Sequence, residues 1–78
     1  MAIDQAELDA MKAHYQAAVE QWIGAIRAEE ALAAPAEYSE AKIDQWEAAD
    51  RTEEQARNQA KAAKAAYESA LREEFFNF

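Results

Sequence analysis

Residues 33–40 read AAPAEYSE and contain the only proline of the chain. Proline lacks the backbone N–H that continues a helix, and it disfavours helical geometry at the residue before it, here Ala34. Ser39 follows as a good helix N-cap, with Tyr38 and Ile43 placed for a hydrophobic staple around it. The stretch therefore predicts a bend between two helices, over about residues 34–38.

The sequence before the bend has the pattern of one long amphipathic helix. Asp4 and Glu7 suit the N-cap and N3 positions, and Ile3 and Leu8 suit a staple. Apolar residues then recur at spacings of three and four, which places them on one helix face. They are Leu8, Met11, Tyr15, Ala18, Val19, Trp22, Ala25 and Ile26. We predict a helix over about residues 4–33.

After the bend, the apolar face has large side chains only at its two ends. Ile43 and Trp46 begin it, Tyr67, Leu71 and Phe75 end it, and every apolar residue between Trp46 and Tyr67 is Ala. Large residues of the first helix would therefore pack on small ones of the second, which runs over about residues 39–76. Folding at the bend pairs Ile26 with Trp46, Trp22 with the turn 49–53, and Leu8 with Tyr67.

Length and composition fit this hairpin and favour a second copy. The chain has 78 residues, enough for one domain, and 22 of its 40 apolar residues are Ala, which buries little area. In the expected register, the second helix extends beyond the first by roughly 10 Å at 1.5 Å per residue. We predict an all-α antiparallel two-helix hairpin that pairs into a four-helix homodimer. The expected dimer interface is Ile23, Leu71, Phe75, Phe76 and Phe78.

Several functional classes lack the residues that they need. The chain has one His and no Cys, so a two-His metal site and thiol chemistry are excluded within one chain. We expect no enzyme activity, no catalytic residue and no cofactor or metal. No apolar run approaches the roughly 20 residues that span a bilayer, and the acidic start lacks the features of a signal peptide. We expect a cytoplasmic protein that binds neither membrane nor nucleic acid.

The net charge of −8 is concentrated around the bend. Residues 1–28 sum to −2 and residues 55–78 to +1, whereas residues 29–54 carry nine acids against Lys42 and Arg51 and sum to −7. We call residues 29–54 the acidic end. An acidic surface suits a partner protein with a basic surface, such as a DNA-binding face. The expected partner-binding residues are Glu29, Glu30, Glu37, Tyr38, Glu40, Asp44 and Glu47, and the alternative is a solvated charge run.

The stretch RNQAKAAKAAYESALREEFF, residues 57–76, resembles in composition the second helix of phage quorum-sensing anti-activators. Those proteins are short dimeric hairpins, and the resemblance implies a phage protein that blocks a host transcription activator in the host cytoplasm. A pilus assembly ATPase would be a second host target. Alternatives are an anti-CRISPR-type inhibitor, a structural assembly subunit and a designed hairpin.

A further alternative comes from Trp22-Ile23-Gly24, which is similar to the bend triplet of the WXG secreted hairpins. Here the apolar stripe continues through the triplet to Ile26, and the proline follows about a dozen residues later. Leu71 also stands where that family has an acidic residue four positions after a tyrosine, here Tyr67. We therefore expect Gly24 inside the first helix, where it marks a close helix approach, a slight bend or a tolerated glycine.

Overall fold

The computed structural model describes residues 4–33 and 39–76, and nearly all of them are helical. Helix α1 spans Gln5–Leu32, helix α2 spans Glu40–Leu71, and a π-helical turn follows over Arg72–Phe76. No strand occurs among these residues. The expectation of an all-α helical hairpin is confirmed for the described part of the chain.

Both helices begin at the residues that the sequence predicts as N-caps. The Asp4 carboxylate accepts a hydrogen bond from the backbone N–H of Ala6 at 2.8 Å. The Ser39 hydroxyl oxygen accepts one from the backbone N–H of Lys42 at 3.2 Å. Each cap satisfies an N–H that has no partner within its helix. The staple partners Ile3 and Tyr38, like Pro35, lie outside the described residues.

The sequence pattern predicts a second helix that continues to about residue 76. The structure shows a change of helix type before that residue. Its α-helical part ends at Leu71, and Arg72–Phe76 form a π-helical turn. The backbone N–H of Arg72 is shared between the carbonyl oxygens of Glu68 and Ser69. A shared N–H of this kind is common where a helix changes its hydrogen-bonding pattern. The change falls where α2 reaches the N-terminal end of α1.

The two helices pack antiparallel along a seam of large residues on small ones. Ala18 of α1 is buried with Ala60 and Ala63 of α2, and Tyr15, Val19 and Trp22 pack against this cluster. The large side chains come from α1 and the alanines mainly from α2, as the sequence predicts. A short residue at the contact allows the two helix backbones to approach closely, at a low cost in side-chain entropy.

The register of the seam differs from the predicted one toward the chain termini. Trp22 meets Glu53, as expected. Ten residues back along α1 from Ala18 is Leu8, and ten residues forward along α2 from Ala60 is Ala70. Both residues are buried, which fits a register that sets Ala18 on Ala60 and hence Leu8 on Ala70, one helical turn beyond the predicted Tyr67. α1 therefore covers more of α2 than expected, and Leu71 is half-buried rather than uncovered.

The hairpin is a rod with little interior. Its Cα extents are 56 × 17 × 13 Å and its radius of gyration is 17.5 Å, against about 11.5 Å for a compact domain of this length. The buried residues among those described are five alanines and Leu8. Five large apolar residues stay exposed: Ile26 at 44%, Ile43 at 59%, Trp46 at 37%, Phe75 at 62% and Phe76 at 66%. Ile26, Ile43 and Trp46, which the sequence places on the apolar faces of the two helices, are thus among the exposed residues.

The seam divides the rod into two unlike sides. One, here called the small side, has adjoining grooves lined mainly by Ala, Gln, Gly24 and Thr52. The other, here called the large side, holds bulky residues. Each residue advances about 100° around a helix, so counting from a buried residue gives the side on which each residue lies. Counted from Ala18, Val19, Ile23 and Ile26 turn to this flank of α1, opposite to Gln21 and Gly24. On α2 the large side carries Ile43, Trp46, Glu53, Arg57 and Leu71 together with the charged Asp50, Lys64 and Glu68, and Phe75 follows in the π-helical turn.

Candidate functional site: the acidic end

Three of the predicted partner-binding residues form a row on the outer face of α2. Glu40, Asp44 and Glu47 follow one another at spacings of four and three, so they lie on one helix face. Glu40 is about 200° around the helix from the buried Ala60, at about 100° per residue. All three residues are exposed. We call them the acidic row, and they face away from α1.

The acidic row makes no ion pair with any other described residue. The ion pairs of Glu53 with Arg57, Lys64 with Glu68 and Glu68 with Arg72 all involve residues outside the acidic row. Two of these three pairs lie toward the far end of α2, away from the bend. Glu40 stands in the first turn of α2, where a carboxylate is favoured by the helix dipole. Asp44 and Glu47 lie beyond that first turn, so the dipole does little to offset their mutual repulsion.

Glu29 and Glu30 occupy the last turn of α1, an unfavourable place for acids. That turn contains no basic residue, and each anion at a helix C-terminus costs roughly 0.3–1 kcal/mol. Glu29 is half-buried and Glu30 is exposed. These two residues lie at the same end of the rod, but they belong to α1 and not to the face of α2 that carries the acidic row. The remaining two predicted residues, Glu37 and Tyr38, fall outside the described residues.

One polar contact at the edge of the acidic end is not predicted by the sequence pattern. The indole Nε1–H of Trp22 donates a hydrogen bond to Glu53 Oε2 at 2.7 Å. The other carboxylate oxygen of Glu53, Oε1, lies 3.5 Å from Nη1 of Arg57, and the Glu53 side chain is only 12% exposed. The sequence predicts Glu53–Arg57 as a pair four residues apart on a solvated face. The pair forms, but it lies against the seam because Trp22 reaches across to it.

The predicted dimer residues are distributed along the large side and the C-terminal turn. Ile23 and Leu71 are half-buried, whereas Phe75 and Phe76 are exposed. Phe78 lies outside the described residues. Gly24 is inside α1, as predicted, and a Cβ built on it meets no atom within 4 Å. It therefore marks no close helix approach and opens onto the small side.

The described residues show neither a metal-binding cluster nor a membrane-crossing helix. Within residues 4–33 and 39–76, no group of three or more His, Asp or Glu side chains is placed to hold a metal ion. His14 is exposed and lines a groove of the small side. Neither α1 nor α2 has a stretch that is both apolar and long enough to cross a bilayer. Comparison with protein-family models, curated proteins and solved structures found no match to this chain.

Proposed function

We propose that this protein is a non-enzymatic inhibitor whose acidic end occupies a basic surface of another protein. The acidic row carries the proposal, because three neighbouring carboxylates are exposed without an ion pair to any described residue. Unpaired like charges repel one another, and opposite charge on a partner removes that repulsion. Glu29 and Glu30 increase the negative potential at the same end of the rod.

The partner class follows from the sign of this surface. Surfaces that bind nucleic acid carry clustered Lys and Arg, so an acidic row competes with nucleic acid for them. A host transcription activator is the target that the resemblance of residues 57–76 to quorum-sensing anti-activators implies. A nucleic-acid-binding CRISPR effector would be engaged by the same acidic row. Electrostatic steering would make capture fast and sensitive to salt.

A competition assay with a purified quorum-sensing activator tests the proposal. Fluorescence anisotropy of labelled operator DNA reports how much activator the protein removes from the DNA, at low and at high salt. The double reversal Asp44→Lys with Glu47→Lys should weaken inhibition by about tenfold or more, about 1.4 kcal/mol or more. These two residues lie beyond the first turn of α2, so the N-cap at Ser39 is left intact.

A matched control separates the acidic row from net charge. Glu20→Lys with Glu73→Lys changes the net charge by the same amount, at exposed positions outside the acidic end. This control should leave inhibition at low salt within about twofold of the unchanged protein, because screened charges at a distance contribute little. Equal losses in the two double variants would refute a role for the acidic row. An activator that is never displaced from DNA would refute this target class.

A further inference from the structure

The large side carries two exposed apolar clusters, one at each end of the rod. Near the bend, Ile43 is 59% and Trp46 is 37% exposed, and α1 adds Ile26 at 44%. At the other end, Phe75 is 62% exposed and follows the half-buried Leu71 by one turn. The small side is lined instead by Ala, Gly, Thr, Gln and His. Uncovered apolar area is thus concentrated on one side of the hairpin.

We infer that the large side binds a second copy of this chain, antiparallel, about a two-fold axis across the middle of the rod. Such an axis places α2 of one copy over α2 of the other with its direction reversed. Ile43 then meets Phe75 of the second copy, and Trp46 meets Leu71. The separations match, because 43 to 46 and 71 to 75 each span about one helical turn. The two-fold axis repeats both contacts, so each copy covers both clusters of the other.

Charge distinguishes this arrangement from a parallel one. A parallel pair also joins apolar residues, since Ile43 would meet Ile43 and Phe75 would meet Phe75. It would, however, bring two acidic ends together, each summing to −7 over residues 29–54. The antiparallel pair separates them to opposite ends of the assembly. In this register Glu54 lies opposite Lys64 of the second copy and Asp50 lies opposite Glu68, so the separation of the acidic ends is the charge term that favours the antiparallel pair.

The second copy would lie along one broad side of the rod. That side measures 56 by 17 Å between Cα extremes. The large residues lie at the two ends of this face, and Val19 and the partly exposed Tyr15 lie between them. This inference does not depend on the proposed partner, because none of its contacts involves the acidic row.

Light scattering with a matched pair of variants tests which side associates. We expect a mass of twice the 8.7 kDa chain. Ile43→Glu, on the large side, should raise the dimer dissociation constant about tenfold or more, because it buries a charge against Phe75 of the second copy. Gln21→Glu adds the same charge on the small side and should change it less than about twofold. Circular dichroism confirms folding, and Ile43→Ser should dissociate the dimer without adding charge.

Cross-linking tests the direction of packing, and the absence of Cys from the chain makes every introduced thiol unique. Ile43→Cys and Phe75→Cys are prepared separately and mixed with a short bis-maleimide. The two positions lie near opposite ends of a 56 Å rod, so a link between them joins two chains. We expect the mixture to give the 43-to-75 product and each variant alone to give little. Links of 43 to 43 or 75 to 75, a single-chain or larger mass, or dissociation by Gln21→Glu alone would overturn the inference.

Discussion

Replacing Glu53 with Ala should destabilise the hairpin more than any other single loss of an acidic side chain among the described residues. Glu53 accepts the Trp22 indole hydrogen bond at 2.7 Å and is only 12% exposed. A hydrogen bond to a charged group contributes roughly 1.5–3 kcal/mol. The ion pair with Arg57, whose side chain is 39% exposed, adds only about 0.3–0.5 kcal/mol. Since Ala has the higher helix propensity, we expect a net loss of about 1.5–2.5 kcal/mol.

Glu54→Ala is the matched control for this measurement. Glu54 is the same residue type one position later, it is exposed, and it makes no ion pair with another described residue. Urea unfolding followed by circular dichroism gives the free energies, at one fixed protein concentration because self-association would shift them. Glu54→Ala should change the unfolding free energy by less than about 0.5 kcal/mol.

The partner of the bond is identified by a double-mutant cycle with Trp22→Phe. If the hydrogen bond from the indole N–H accounts for the contribution of Glu53 to stability, the two substitutions should show a coupling energy of about 1 kcal/mol or more. Phe keeps an aromatic ring against Ala18 and Ala60, so most of the packing at that position survives. Equal effects of Glu53→Ala and Glu54→Ala, or strictly additive effects of Glu53→Ala and Trp22→Phe, would refute the reasoning.

Three further substitutions probe the helices and the seam by thermal unfolding. Gly24→Ala should stabilise the protein by up to about 1 kcal/mol, because the new Cβ meets no atom within 4 Å; a lower melting temperature would contradict this. Ala60→Leu should destabilise by about 1–3 kcal/mol through overpacking, since Ala60 is buried in the seam cluster, whereas Leu at the exposed Ala65 should be nearly neutral. Ser39→Ala should cost about 1 kcal/mol by removing the α2 N-cap, and an unchanged melting temperature would mean that the cap is dispensable.

Local signals in the sequence predict the helices and their starts well. Asp4 and Ser39 act through hydrogen bonds to backbone groups two or three residues away, so the chemistry that defines them is contained in a short stretch. The same holds for the continuity of α1 through Gly24, which follows from the uninterrupted stripe on both sides of it. Tyr15 and Trp22 are likewise predicted as seam residues, because a stripe at spacings of three and four has only one face.

The exposure of Ile43 and Trp46 is not predictable from that stripe. A pattern of apolar residues indicates which face of a helix is apolar, and it does not indicate how wide the covering element is. α1 is a single helix, so it covers only the central strip of the α2 face, occupied by Ala60, Ala63 and Ala70. Ile43, about 100° around α2 from Ala60, extends past α1 into solvent, and Trp46, about 40° from Ala60, stands at the edge of the strip. The pattern therefore overestimates the buried set in any structure with one covering helix.

The spacing of the alanines in α2 limits how far the sequence can predict the register. Ala49, Ala56, Ala63 and Ala70 repeat every seven residues along α2, so sliding α1 by two turns would again set large side chains on alanines. The alanine face thus favours close packing and discriminates poorly between registers. Discrimination must come from groups that do not repeat, and Glu53 is one, since the residues seven positions before and after it are Trp46 and Ala60. The Trp22–Glu53 hydrogen bond would be lost if α1 slid by two turns, which would leave the indole N–H without its acceptor, so this contact disfavours that slide.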